Sequence, residues 1–180
     1  LRDGFIDTLV EMGAKIKVMN KQHNAGELVA DIKVTYSPHL KGLEVPAFRA
    51  ARMIDEYPIL SMVAATANGP TIMKGIRELR YKESDRIESI EKGLQDSGVD
   101  VIAGEDTLVV NGSGRESIKG GCQINAYNDH RIAMSFTCLG LASERAIQIN
   151  GASSIHTSFP NFVDLMHSIG ACITISKNKA

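Results

Sequence analysis

The fold is decided by a stretch that reads ILSMVAATA, from Ile59 to Ala67. A helix with this sequence is apolar nearly all the way round and has no face to present to water. A second stretch has the same character, and its apolar members are Ile132, Ala133, Met134, Phe136, Leu139, Leu141 and Ala142. Helices of this kind must be covered on every side, which predicts helices at the centre of the domain and sheets around them.

Three further segments share another pattern, an apolar helix face followed by a glycine and a short strand. They are Phe5–Ile16 with Gly13, Ile90–Val101 with Gly98, and Phe162–Ile173 with Gly170. Each glycine is predicted to end its helix. These repeats indicate a pseudo-threefold domain. The first repeat has no buried helix of its own, and we interpret this as the sign of a segment upstream of Leu1.

The composition limits the classes of partner. With 43% hydrophobic and 23% charged residues in 180, the chain has the make-up of an ordinary globular domain. Its net charge of −1 comes from 20 basic and 21 acidic residues without a block of like charge, which argues against nucleic acid and membrane surfaces as partners. The longest apolar stretch is too short to span a bilayer. We therefore expect a soluble protein.

The cysteines and histidines favour neither disulfides nor a metal. Cys122, Cys138 and Cys172 are odd in number and far apart, which fits a reducing cytoplasm. The five histidines show no spacing typical of metal ligands. We predict a cytoplasmic protein without a metal site.

Charged residues recur at one phase of the repeat, just before or within the first turn of a helix. They are Asp55, the run Lys82-Glu83-Ser84-Asp85-Arg86 and the run Asn128-Asp129-His130-Arg131. If the repeats superpose, these helix starts share one face, where free amides and arginines form a natural anion site. Carboxylates beside such a site supply the acids and bases that a transfer reaction needs.

Simpler interpretations of the same residues stay open. Asp55, Ser84 or Asp85, and Asn128 or Asp129 are typical helix N-caps, and capping is the favoured interpretation for Ser84 and Asp129. Arg86 could pair with Glu83 or Asp85 on the surface. His130 could be a structural histidine.

Four stretches resemble motifs of the EPSP synthase family. LRYKESDRI (Leu79–Ile87) is similar to its second signature, and YNDHRIAM (Tyr127–Met134) is similar to its Asp-His-Arg motif. Asp55–Leu60 and Thr157–Pro160 also match, in order and at sensible spacing. The resemblance covers essentially the whole chain, and the form of the motifs is similar to the bacterial class II version.

The resemblance implies a fold and a reaction. Members of the family have two similar domains, each an inside-out α/β barrel of three βαβαββ units with buried helices and outer sheets. Residues 1–180 would be most of the C-terminal domain, and the N-terminal domain would be absent from this chain. The reaction joins the 5-hydroxyl of shikimate 3-phosphate to C2 of phosphoenolpyruvate and releases phosphate, without a cofactor.

The resemblance also implies which residues act on the acceptor. Asp55 would be the catalytic proton acceptor near the 5-hydroxyl, and Lys82 would help Asp55 to bind shikimate 3-phosphate. His130 would line the site. Some family members have a lysine where this chain has Thr157, so no phosphate contact is assigned to that position.

On the phosphoenolpyruvate side, Glu83 would be the second catalytic acid and base and would contact phosphoenolpyruvate at C3, while Arg86 and Arg131 would bind its carboxylate. The isolated chain is expected to be inactive and the full-length enzyme to be monomeric. Two alternatives remain: an enzyme similar to the enolpyruvyl transferase that acts on UDP-N-acetylglucosamine, or a non-catalytic binding module on the same scaffold.

Overall fold

The computed structural model of the protein describes residues 3–114 and 118–176. The helices are α1 (Gly4–Glu11), α2 (Tyr57–Thr66), α3 (Arg86–Asp96), α4 (His130–Gly140), α5 (Ile155–Ser158) and α6 (Phe162–Ser168). Short 3₁₀ segments span Ala47–Arg52, Ile54–Glu56, Arg77–Tyr81 and Ala152–Ser154. The strands are β1 (Lys15–Asn24), β2 (Glu27–Thr35), β3 (Glu44–Val45), β4 (Asn68–Lys74), β5 (Asp100–Ala103), β6 (Thr107–Ser113), β7 (Ile118–Gly120), β8 (Gln123–Asn125), β9 (Ser143–Arg145) and β10 (Gln148–Asn150).

The two apolar stretches form central helices, as their sequences predict. Helix α2 packs against α4 and, on another side, against β6. Leu60, Ala64 and Ala65 of α2 are fully buried, and so are Ile132 and Phe136 of α4. The prediction that α4 extends to Ala142 was wrong, because the helix ends at Gly140 and leaves the next side chain exposed.

Sheets lie outside these helices. The largest has the strand order β3-β4-β6-β5, in which β3 and β4 are parallel and the other neighbours are antiparallel. The alternate residues Leu108 and Val110 of β6 are fully buried, and β6 packs on α2. Two parallel pairs, β7 with β9 and β8 with β10, complete the cover.

The three predicted helix stops are confirmed. Gly13, Gly98 and Gly170 each follow a helix with φ values of 97°, 87° and 95°, a left-handed conformation that strongly favours glycine. The strand predicted after Gly170 was wrong, because residues 171–176 form no strand. The carbonyl of Ile173 instead lies 2.8 Å from the ring of His167, and in the described part of the chain no strand pairs with this segment.

The β1–β2 pair forms a separate antiparallel ribbon. Its paired residues Val18 and Ile32 are exposed, as is Val34. The corresponding hairpin of the next repeat, β5–β6, lies on α2. The ribbon therefore differs from its counterpart because, within residues 3–114 and 118–176, no central helix covers it.

Helices α3 and α4 approach each other closely at Gly93, where an added Cβ would lie 2.2 Å from Cζ of the buried Phe136. We expect Gly93→Ala to lower the free energy of unfolding by about 1–3 kcal/mol through overpacking, although alanine ordinarily favours a helix by roughly 1 kcal/mol. Denaturant unfolding measures the change. Gly140→Ala is the control, because the nearest atom to its added Cβ is 3.8 Å away on Ile147. Equal effects of the two substitutions would contradict the prediction.

No helix in the described ranges has the length and apolar character needed to cross a membrane.

Candidate active site

Arg86, the first residue of α3, lies at the centre of a cluster of carboxylates. Its guanidinium Nε donates to Asp129 Oδ2 at 2.8 Å and Nη1 donates to Asp55 Oδ1 at 3.1 Å. Nη2 donates to Glu83 Oε2 and, at 3.4 Å, to Asp129 Oδ1. The side chain is only 1% exposed. Three carboxylates from three separate helix starts therefore share one buried cation.

Asp129 is the fully buried carboxylate of this cluster and the N-cap of α4. Oδ1 accepts from the backbone N of Arg131 at 2.9 Å and of Ile132 at 3.4 Å, and Oδ2 accepts from Ser84 Oγ at 3.1 Å. Burial raises the pKa of Asp129, but the hydrogen bond and charge of Arg86 and the two backbone amides outweigh burial and hold the pKa below its usual value. Asp129 thus stays ionised and joins α3 to α4.

Arg131, two residues after Asp129 in the first turn of α4, is the more accessible of the two arginines. Its side chain is 32% exposed. Nη1 donates to the backbone O of Asp55 at 2.9 Å and contacts Glu56 Oε1 at 3.5 Å. Nη2 lies 3.9 Å from Asp55 Oδ2. The 3₁₀ segment Ile54–Glu56 therefore holds this guanidinium beside the Arg86 cluster.

Lys82 and Glu83 lie on the segment that leads into α3. Lys82 Nζ is 4.0 Å from Asp55 Oδ1 and also pairs with Glu78. The Glu83 side chain is 48% exposed, by far the most open of the three carboxylates around Arg86. His130 is the first residue of α4 and is half-buried, so it lies at the same helix start as Asp129.

Two clefts border the cluster. One, of about 400 Å³, is lined by Glu83, by one side of α3 from Glu88 to Asp96, and by Gln123 and Asn125 of β8. The other, of about 240 Å³, has Asp55 and Arg131 at its polar end, and its apolar walls come from Ile59, Met134, Phe159 and Phe162. Glu83 therefore faces the larger cleft, and Asp55 and Arg131 face the smaller one.

The structure confirms that the charged helix starts converge, and it decides between the interpretations left open for individual residues. Asp129 is an N-cap, as favoured, and it also binds Arg86. Ser84 is not a cap, because Asp85 takes that position and its Oδ1 accepts from Glu88 N at 3.0 Å. Asp55 lies inside a 3₁₀ segment and is not a cap either.

The interpretation of Arg86 as a surface residue was wrong. Arg86 does pair with Glu83, but the pair forms around a buried guanidinium. Thr157 lies on α5 and is exposed. Its hydroxyl donates to the backbone O of Ser154 at 2.7 Å. In the described residues, no three His, Cys, Asp or Glu side chains are grouped as metal ligands would be.

Sequence reasoning missed two contributors to the site. Glu56 contacts Arg131, and one of its carboxylate oxygens, Oε2, is buried with no hydrogen-bond partner in the structure. Asp129 was expected only to cap a helix. Both residues lie directly beside predicted site residues, and this position was the available signal. Glu56 follows Asp55, and Asp129 precedes His130 and Arg131.

Known proteins match the chain over nearly its whole length. The sequence model of the family EPSP synthase (3-phosphoshikimate 1-carboxyvinyltransferase) matches residues 2–166. The 3-phosphoshikimate 1-carboxyvinyltransferase of Cereibacter sphaeroides is 54% identical over 170 residues, which are 94% of this chain and 38% of the relative. That of Parvibaculum lavamentivorans is 51% identical, over 94% of this chain and 37% of the relative.

Solved structures agree on the fold. The EPSP synthase of Acinetobacter baumannii superposes with a TM-score of 0.92 at 40% identity, over 97% of this chain and 40% of that one. The enolpyruvyl transferase NikO from Streptomyces tendae superposes with a TM-score of 0.69 at 22% identity, over 95% of this chain and 36% of that one, which bears on the fold alone. The predicted inside-out α/β fold is thereby confirmed.

The chain spans about two fifths of the length of these relatives. The family match nevertheless extends from α1 into α6 and contains all the residues of the Arg86 cluster. This chain belongs to the EPSP synthase family.

Proposed function

We propose that the full-length protein containing this chain transfers the enolpyruvyl group of phosphoenolpyruvate to the 5-hydroxyl of shikimate 3-phosphate and releases phosphate. The observation that carries the proposal is the convergence of Asp55, Glu83, Arg86 and Arg131 at one cluster in a chain of this family. We further propose that residues 1–180 form most of the C-terminal domain and that an N-terminal domain completes the substrate cleft. The share of the relatives that the chain spans supports this division.

The reaction needs proton transfers at two different atoms. The 5-hydroxyl loses its proton while its oxygen bonds to C2 of phosphoenolpyruvate, and C3 gains a proton, which gives a tetrahedral intermediate. Loss of a proton from C3 and of phosphate from C2 then completes the transfer. We assign the hydroxyl proton to Asp55 and both transfers at C3 to Glu83, because positioned carboxyl groups act efficiently in this way.

Arg131 and Arg86 would bind the carboxylate of phosphoenolpyruvate in different ways. Arg131 borders the smaller cleft and is directly accessible. Arg86 already has carboxylate partners, so a substrate must replace one of them. Asp129 is fully buried and Asp55 only 15% exposed, which leaves Glu83 as the partner with room to turn away. Displacement by the substrate would free the Glu83 carboxyl for C3.

Lys82 and Asp55 would together hold the ring hydroxyls of shikimate 3-phosphate. Their charged atoms are 4.0 Å apart, which allows both to contact neighbouring hydroxyls of one ring. His130 would line the site from the start of α4. All of these assignments use side chains alone and no cofactor.

The test is phosphate release by the full-length protein from phosphoenolpyruvate and shikimate 3-phosphate. We expect release with this acceptor and none with UDP-N-acetylglucosamine. The isolated chain should be silent, and mixing it with a separately expressed N-terminal half should restore activity. Silence of the folded full-length protein would reject the proposal, and release with UDP-N-acetylglucosamine alone would favour the sister transferase.

Arg131→Ala should raise the KM for phosphoenolpyruvate of the full-length enzyme about 10- to 100-fold, because a hydrogen bond to a charged group contributes about 1.5–3 kcal/mol. The KM for shikimate 3-phosphate should change by less than about threefold, because Arg131 is assigned to the other substrate and its loss removes no binding to this one. Steady-state kinetics with each substrate varied in turn measures both values.

Arg52→Ala is the control for this variant. Arg52 is also a partly exposed arginine with two acidic partners, Asp3 and Asp7, but it pairs with α1 and lies outside the cluster. Its kinetics should match the wild type. Equal rises of both KM values in Arg131→Ala would contradict the assignment.

We also propose that the enzyme works as a monomer in the cytoplasm. The free thiols of Cys122, Cys138 and Cys172 support a reducing compartment. Sedimentation of the full-length protein tests the oligomeric state.

A further inference from the structure

Residues 82–85 include two of the site residues, Lys82 and Glu83, but form neither helix nor strand. Lys82 follows the 3₁₀ segment Arg77–Tyr81 in an extended conformation, and α3 begins only at Arg86. A segment of this kind is not fixed by a regular backbone hydrogen-bond ladder. Lys82, Glu83 and Ser84 inside it contact Glu78, Arg86 and Asp129 respectively. The side chains at its two ends tie it to the neighbouring elements.

Arg80 fixes the first end. Its Nε donates to the backbone O of Glu105 at 3.0 Å, and its Nη2 donates to the backbone O of Gly104 at 2.6 Å. Both carbonyls lie in the turn between β5 and β6. The planar guanidinium thus binds two carbonyls of the β5–β6 turn at once, in a fixed geometry that the ammonium of a lysine cannot reproduce.

Asp85 fixes the second end. Its Oδ1 caps α3 by accepting from Glu88 N at 3.0 Å, and its Oδ2 accepts from Arg80 Nη1 at 2.7 Å. Both side chains of the pair are about a quarter exposed. The Arg80–Asp85 ion pair therefore closes the four residues between them into a loop that is tied to the β5–β6 turn on one side and to α3 on the other.

We propose that Arg80 is a positioning residue that sets the placement of Lys82 and Glu83 by closing this loop, without touching a substrate. The proposal rests on the proposed function for its kinetic consequence only. Displacing a catalytic group by about 1 Å can lower the rate on the order of 100-fold. Without Arg80, Asp85 still caps α3. The loop loses its hydrogen bonds to the β5–β6 turn and the ion pair between Arg80 and Asp85.

The kinetic test compares Arg80→Ala with Arg77→Ala in the full-length enzyme. Arg77 lies on the same 3₁₀ segment and contacts Glu105 and Tyr81, but its side chain is 59% exposed and the ion pair that closes the loop is made by Arg80. We expect Arg80→Ala to lower kcat about 30-fold, with a melting temperature close to that of Arg77→Ala, which should keep wild-type kcat. Arg80→Lys should recover little of the loss.

A second variant separates loop closure from helix capping. Asp85→Asn keeps an oxygen that can cap α3, since Asn and Asp cap about equally well, but it removes the ion pair with Arg80. We expect this variant to reproduce most of the fall in kcat. The double variant Arg80→Ala, Asp85→Asn should be little worse than Arg80→Ala alone, because the ion pair that Asp85→Asn removes is already lost in Arg80→Ala.

A crystal structure of full-length Arg80→Ala tests the placement without any assay. Residues 81–84 should move or lose order while α3 and the β5–β6 turn stay in place. A loop that superposes on the wild type, or a kcat equal to that of Arg77→Ala, would overturn the proposal. If the wild-type protein lacks enolpyruvyl transfer, the proposed function fails, and the structure of the variant still decides the role of Arg80.

Discussion

Glu83→Gln is expected to lower kcat of the full-length enzyme about 1000-fold, within the range of 10²–10⁴ that a positioned acid or base contributes. The change keeps the length and planar shape of the side chain and removes the group that would move a proton at C3. Glu83 is half exposed and is the outermost partner of Arg86, so its replacement should leave folding intact. Phosphate release and thermal unfolding of the same preparation measure the two effects.

Glu88→Gln is the control for this variant. Glu88 lies in the first turn of α3 and lines the same cleft as Glu83, so the same chemical change is made in the same surroundings. It should leave kcat within about twofold of the wild type, because Glu88 makes no contact with Arg86. Nearly normal turnover of Glu83→Gln would reject its role as acid and base.

Asp129→Ala is expected to lower the free energy of unfolding by about 3–5 kcal/mol, because it leaves a buried guanidinium short of one of its carboxylates. The change also removes the cap of α4 and the acceptor for Ser84 Oγ. Denaturant unfolding measures the loss. A loss below about 1 kcal/mol, the size of a cap alone, would show that Arg86 does not depend on this partner.

Asp129→Asn separates charge from capping, because its amide oxygen can still cap α4. The difference in stability between the wild type and this variant should depend on pH. The folded-state pKa of Asp129 lies below its ordinary value of 3.8, so the carboxylate contributes its full stability above that value. The contribution is lost as pH falls through the lower folded-state pKa. The two proteins should therefore converge in stability in strong acid, and a constant difference would contradict this account.

The central helices could be predicted because their sequences leave no alternative. A stretch such as Ile59–Ala67 has no polar face, so every arrangement that exposes one side is unfavourable. The end of α4 was less predictable. Leu141 continues the apolar pattern but lies outside the helix and is 48% exposed, because one exposed leucine carries only a small penalty.

The segment after Gly170 shows that an alternating sequence is not enough to predict a strand. Its alternation of Cys172, Ile173, Thr174 and Ile175 is compatible with a strand. A strand, however, exists only through hydrogen bonds to a neighbour, and the described residues provide none here. Local sequence carries no information about that neighbour.

The candidate site, like the fold, could be predicted from the sequence only in part. The repeat phase was enough to bring Asp55, Glu83, Arg86 and Arg131 to one face. Burial of Arg86 was not predictable, because the spacing of Glu83 and Arg86 is the same in a surface pair and in a buried one. It depends on the packing of three helix starts around the guanidinium, which is a property of the tertiary structure.

That single guanidinium has a consequence for how the domain opens. Its partners Asp55, Glu83 and Asp129 precede α2, α3 and α4 respectively, so no one of these helices can detach without stranding a buried charge. Solenoid repeats can fray one at a time from an end. Here, amides in all three helices should exchange with solvent deuterium together, as one cooperative unit, although the sequence that encodes them is a row of repeats.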